Sequence, residues 1–66
     1  MSAPSLTQRE RESLAMIASG KKATEAAHAL GISPETVKDH LTRVRLKLGA
    51  TTTAQAAVMA SRAGII

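Results

Sequence analysis

Residues 23–48 read Ala-Thr-Glu-Ala-Ala-His-Ala-Leu-Gly-Ile-Ser-Pro-Glu-Thr-Val-Lys-Asp-His-Leu-Thr-Arg-Val-Arg-Leu-Lys-Leu. Gly31-Ile32-Ser33 separates two stretches of helical periodicity, and a three-residue turn holding glycine between short helices is the helix-turn-helix signal. Three positions set the angle. Ala27 is small enough for the two helices to approach. Gly31 takes a turn conformation that a Cβ would oppose. Val37 plugs the angle, and Leu30 and Ile32 fill the space below it. Ser33-Pro34-Glu35 opens the second helix with a cap serine, a proline at the first helical position and an acid in the positive first turn.

Working outward, Gly20, Gly31, Gly49 and Gly64 each follow an apolar-periodic segment, the usual place of a helix stop. Thr7-Gln8-Arg9-Glu10 reads as a capping box, and Thr52-Thr53-Ala54-Gln55 reads the same way. The helix before the turn opens at Ala23 or Thr24, of which Thr24 is the better acceptor. The pattern predicts an all-α fold of four helices, about 8–19, 24–30, 34–48 and 53–63. The inward faces are Leu14, Ile17 and Ala18; Ala26, Ala27 and Leu30; Val37, Leu41, Val44 and Leu48; and Ala56, Ala57 and Ala60, followed by Ile65 and Ile66. Residues 1–5 carry no pattern and read as a flexible arm or linker remnant before a domain at 6–66. That start fits a cut domain or a very small regulator, with the cut domain favoured.

Composition narrows the function. Of the 66 residues, 44% are hydrophobic, but 13 of those are alanine and none of the 66 is aromatic, so the elements must pack closely. No apolar run approaches the roughly 18 residues of a membrane span. No cysteine is present, and two histidines make a poor metal site. No nucleophile–base pair, metal set or phosphate loop is legible, so neither an enzyme nor a cofactor is expected. The net charge of +4 and pI near 10.4 suit an anionic partner, nucleic acid first and membrane surface second.

Opposite the buried stripe, the third helix carries Glu35, Asp39, Thr42 and Leu46. Lys38 and Arg45 lie on one flank. Thr36, His40 and Lys47 lie on the other, with Arg43 between that flank and the centre. Four cations and one anion fall between residues 36 and 47. Such a helix can enter a major groove with its tip near base edges and its flanks near phosphates. A solvated charged face is the plainer reading, and the turn motif before it favours DNA.

At this level the sequence resembles a family. Leu6-Thr7-x-Arg9-Glu10, Ala18-x-Gly20, Glu25-x-Ala27, Ile32-Ser33-x-x-Thr36-Val37-Lys38-x-His40-Leu41, Lys47-Leu48-Gly49, Gln55-Ala56, Ala60 and Gly64-Ile65-Ile66 together look like the LuxR-type helix-turn-helix domain. The likeness runs from Leu6 to Ile66. It implies a four-helix DNA-binding domain of a bacterial, cytoplasmic transcriptional regulator, usually placed behind a receiver or signal-binding domain. It also implies dimers on inverted-repeat sites, joined through the fourth helix. Carried over, the base-facing positions are Lys38, Asp39 and Thr42, and the phosphate contacts are Thr36, Lys47 and residues around the turn. Chemistry agrees with much of this. Lysine suits guanine O6 and N7, threonine offers a hydroxyl and a methyl, and aspartate accepts from a cytosine amine while repelling phosphate. Asp39 is therefore expected to add discrimination and to lower overall affinity. Arg43 and Arg45 join the phosphate set through their flank positions, and Lys22, like Lys21, is either a phosphate contact or merely solvated. Ala54, Val58, Met59, Ser61 and Arg62 are ordinary surface or a dimer patch; the resemblance favours the patch.

Several residues depart from the family pattern or admit two readings. Ala26 stands where the family has a large aliphatic residue, so Ala26→Ile or Ala26→Val is expected to stabilise the fold. Ala23 replaces a polar cap, and Thr51-Thr52-Thr53 replaces a run that often holds arginine or asparagine. Arg45 stands where many members are apolar, with Leu46 outward instead. His40 reads as a half-buried residue beside the turn donating one hydrogen bond, His28 as exposed, and Met16 and Met59 as core-edge residues. Glu10 and Glu25 read as braces between helices. The competing class is a protein-interaction or dimerisation module that kept this fold without binding DNA. Asp39 and the absent arginine favour that class, and the cations of the third helix oppose it. A sigma-factor region shares the Thr-Val-Lys helix start but lacks the leading Leu-Thr-x-Arg-Glu box and the trailing Gly-Ile-Ile.

Overall fold

The computed structural model describes residues 5–66, so the arm expected at 1–5 lies outside the described residues except for Ser5. Four helices follow one another: α1 (Gln8–Ala18), α2 (Ala23–Leu30), α3 (Pro34–Leu48) and α4 (Thr53–Arg62), with no strand among the described residues. This is the all-α, four-helix architecture read from the sequence, with ends displaced by one residue in α1, α2 and α4. No helix is long and apolar enough to cross a membrane among the described residues.

Local chemistry accounts for the ends. At α1 the Thr7 hydroxyl accepts from the Glu10 N–H at 3.1 Å, and the Glu10 carboxylate accepts from the Thr7 N–H at 2.9 Å, the reciprocal box expected there. At α2 the expected Thr24 cap is not the one observed. Lys22 holds the cap position, and its side chain has no acceptor to offer. Only the acid's half of a box forms, with Glu25 accepting from the Lys22 N–H at 2.8 Å. At α4 the Thr52 hydroxyl accepts from the Gln55 N–H, but the Gln55 side chain accepts from Thr51 rather than Thr52. The turn between α2 and α3 is closed by two backbone bonds, Ile32 N–H to Ala27 C=O at 3.0 Å and Gly31 N–H to His28 C=O at 3.3 Å. That pairing needs the left-handed backbone that Gly31 adopts at φ 70°. The same pair of bonds recurs after α3, around Gly49 and Ala50.

The helix α3 packs against each of the other three, and its buried stripe serves two separate groups. Toward its N-terminus Val37 meets Ala26 and Ala27, with Met16, Ala23 and Ile32 at the margin. Toward its C-terminus Val44 joins Leu6, Leu14, Ala50, Ala56 and Ala60, with Leu48, Ala57 and Ile65 beside them. Leu41 touches both groups. Two inward expectations need correction. Ala18 and Ile66 are exposed, and α1 buries Glu10 and Ser13 instead. The inward face of α1 is thus shifted toward Glu10, Ser13 and Leu14, and Leu6, ahead of the helix, shares the core with Leu14.

Candidate nucleic-acid interface

Ser33 fixes the tip of α3. Its hydroxyl accepts from the Thr36 N–H at 3.1 Å and lies 2.9 Å from the Thr36 hydroxyl. Behind it, Val37 is fully buried, which sets the rotation of the helix. With that face inward, Lys38, Asp39, Thr42, Arg43 and Leu46 are exposed together, while Thr36, His40 and Arg45 are half-buried. The base-facing trio of the sequence reading thus shares one open face. The Thr42 hydroxyl is not idle there; it donates to the Lys38 carbonyl at 3.0 Å. Leu46 is 66% exposed, a large apolar side chain on a polar face. Among the described residues no ion pair engages Lys38, Arg43 or Arg45.

Lys47 differs from its neighbours. Its ammonium lies 2.7 Å from the Glu10 carboxylate and 3.3 Å from the Ser5 carbonyl. Glu10 is almost wholly buried, and the Lys47 side chain is 35% exposed. Burial pushes the Glu10 carboxyl up, but the Lys47 ammonium and the Thr7 N–H outweigh it and hold the group below its ordinary value of 4.5. Sequence reasoning named both residues and missed the pair. The two lie 37 positions apart, and no local spacing links them. An acid in the N-terminal box of one helix, and a lysine next to the buried stripe of another, were the only available hints.

The other named residues fall as follows. Lys22 is exposed at the start of α2. Ala54, Val58, Met59, Ser61 and Arg62 are all exposed on α4, as a patch would require. His28 is exposed, and Met16 lies at the core edge. The hydrogen bond expected from His40 is not found among the described residues; its Nδ1 is buried without a partner. Ser13 Oγ is likewise buried and unpaired.

Comparison with known proteins places this geometry. The family described as bacterial regulatory proteins, luxR family, matches residues 4–60. The chain belongs to the LuxR family. Among its relatives is the transcriptional activator protein SolR of Ralstonia nicotianae, 46% identical over 65 residues, which cover 98% of this chain and 28% of SolR. The transcriptional regulatory protein LiaR of Bacillus subtilis is 47% identical over 58 residues, or 88% of this chain and 28% of LiaR. The spore germination protein GerE of Bacillus subtilis is 40% identical over 63 residues, covering 96% of this chain and 85% of GerE. The chain therefore spans about a quarter of the length of regulators such as SolR and most of the length of GerE. The LuxR-family match takes in the turn, α3 and all but the last two residues of α4.

Proposed function

We propose that this chain binds duplex DNA sequence-specifically, with α3 in the major groove, as the DNA-binding part of a bacterial transcriptional regulator. The observation that carries the reading is the open face of α3. Lys38, Asp39 and Thr42 stand together beyond a glycine turn, flanked by the unpaired cations Arg43 and Arg45. Lys38, Asp39 and Thr42 meet base edges, while Thr36, Arg43, Arg45 and Lys22 meet phosphates. Lys47 belongs to the phosphate set only through the exposed part of a side chain whose ammonium already serves Glu10. The α4 surface of Ala54, Val58, Met59, Ser61 and Arg62 joins two copies. A two-fold dimer then sets the recognition helices about 34–36 Å apart, in successive grooves of an inverted repeat. The setting is the cytoplasm of a bacterium, on nucleoid DNA. A receiver or signal-binding part, in a longer regulator of the SolR or LiaR kind, would supply the signal.

Fluorescence anisotropy of the chain on a labelled random duplex, at about 50 and 200 mM salt, tests the reading. Three to four phosphate contacts per copy predict a fall of about 100-fold between those conditions for a single bound copy, and of about 1,000-fold or more for a dimer. Lys38→Glu with Arg43→Glu, two exposed changes, should abolish binding without loss of helicity. Absence of binding by a folded sample at the lower salt would overturn the reading in favour of a protein-interaction module.

A further inference from the structure

The open face of α3 has an unusual chemical inventory. Asp39 presents a carboxylate, which only accepts. Thr42 has its hydroxyl proton on the Lys38 carbonyl, so this exposed side chain offers acceptor lone pairs and a methyl but no donor. Leu46 presents a large apolar side chain, 66% exposed. These three positions are related as i, i+3 and i+7, the spacing with which a helix lying along a groove reads successive bases. At 1.5 Å per residue they span about 10 Å, or about three base pairs. No donor stands at the centre of that face. The nearest donors are Lys38 and Arg43, at its edges.

From this we infer that Leu46 is a specificity-determining residue, and that the stripe Asp39–Thr42–Leu46 selects a C·G pair followed by A·T pairs read through thymine methyls. The inference rests on the proposed placement of α3 in the major groove. A carboxylate accepts from cytosine N4, which displays an amine there. Guanine, with two acceptors, is repelled by that carboxylate and is recognised only at the Lys38 edge. Farther along the helix, the Thr42 methyl and Leu46 offer no donor, and Leu46 offers only apolar surface, so the favourable match there is a base edge that carries an apolar group. In the major groove of unmodified DNA only thymine carries one, the C5 methyl. Exposure of Leu46 to water in the unbound chain is relieved when that methyl packs against it.

The test uses the 66-residue chain and two sets of duplexes. A site is first selected from a randomised duplex pool. Each thymine is then replaced singly by deoxyuridine, which removes the methyl and leaves the hydrogen-bonding edge intact. The expected result is a selected half-site with cytosine followed by thymines, and a loss of about fourfold for each contacted methyl removed. Leu46→Ala should abolish the uracil effect at one position and leave the salt dependence unchanged. Leu46 is exposed, so that variant keeps the fold, and circular dichroism verifies it. Equal binding to thymine and uracil sites by the wild-type chain, or a uracil effect that Leu46→Ala leaves unaltered, overturns this inference while DNA binding stands. Failure to bind any duplex at about 50 mM salt overturns the DNA reading itself, and this inference with it.

Discussion

The two ends of α3 are held by different means. Around Val37 the buried contacts are two alanines, and position is fixed by backbone devices: the Gly31 turn, the Ser33 cap and Pro34 at the first helical position. Around Val44 the fixing is done by bulk and charge. Leu6 and Leu14 fill the interior, and Glu10 meets Lys47 across the gap between α1 and the end of α3. The end that carries Lys38 and Asp39 therefore owes its orientation to local geometry, while the end that carries Leu46 owes its place to long-range packing. Small side chains let α2 and α3 approach closely. They also bury little area, so most hydrophobic stabilisation has to come from the far end.

That contrast can be broken first at Lys47. In Lys47→Met the Glu10 carboxylate is left buried and unpaired, and stability should fall by about 3 kcal/mol. A chain this short has only a few kcal/mol in all, so thermal unfolding followed by circular dichroism should find the variant largely unfolded. The acid limb sharpens the point. Glu10 titrates below its ordinary value in the folded chain, so its contribution is fully present above pH 4.5 and is lost as pH falls through the folded value. A Glu10→Gln, Lys47→Met double variant should recover part of the loss and show a flatter acid limb than the wild type.

The near end responds to smaller, backbone-level changes. Gly31→Ala places a Cβ where no atom lies within 4 Å, so its cost is conformational alone, about 1–2 kcal/mol for a left-handed residue. Its melting temperature should drop by roughly 5–10 °C. Ser33→Ala removes the α3 cap and should cost about 1 kcal/mol in the same assay. Smallest are two changes that should raise the melting temperature. Ser13→Ala deletes a buried hydroxyl without a partner, and Ala26→Val adds apolar volume beside Val37, each gaining up to about 1 kcal/mol. A drop with Ala26→Val would show that the α2–α3 contact is already full.

Legibility in the sequence follows the same division. The near end was readable because its devices are local. Ala27, Gly31, Ser33, Pro34 and Val37 lie within eleven consecutive positions, and each has a distinct backbone or steric meaning. The open stripe of α3 followed from helical periodicity once Val37 and Val44 were taken as inward. The far end was less readable. Glu10 and Lys47 meet only because α1 crosses α3, and periodicity in one helix carries no information about where another lies. The inward face of α1 buries Ser13 and exposes Ala18, a choice set by packing against α3 and α4 that the periodicity of α1 alone does not contain. The Lys22 cap escaped notice because cap preferences favour short acceptors, while here the acid three residues on supplies the bond. The Thr42 hydroxyl bond to Lys38 is local, yet sequence leaves open whether such a hydroxyl turns inward or outward.

Among the described residues α2 touches α1 and α3 but never α4. Its opening breaks the small group around Ala26, Ala27 and Val37, with Met16 of α1 at its margin, and leaves the larger interior around Leu14 and Val44 whole. Amide protons in α2 should therefore exchange with solvent deuterium through a local excursion, sooner than those of α1 and α3 around Leu14 and Val44, which wait for global unfolding. A helix pair built this way can change the cant of α2 against α3 within the lifetime of an otherwise intact fold.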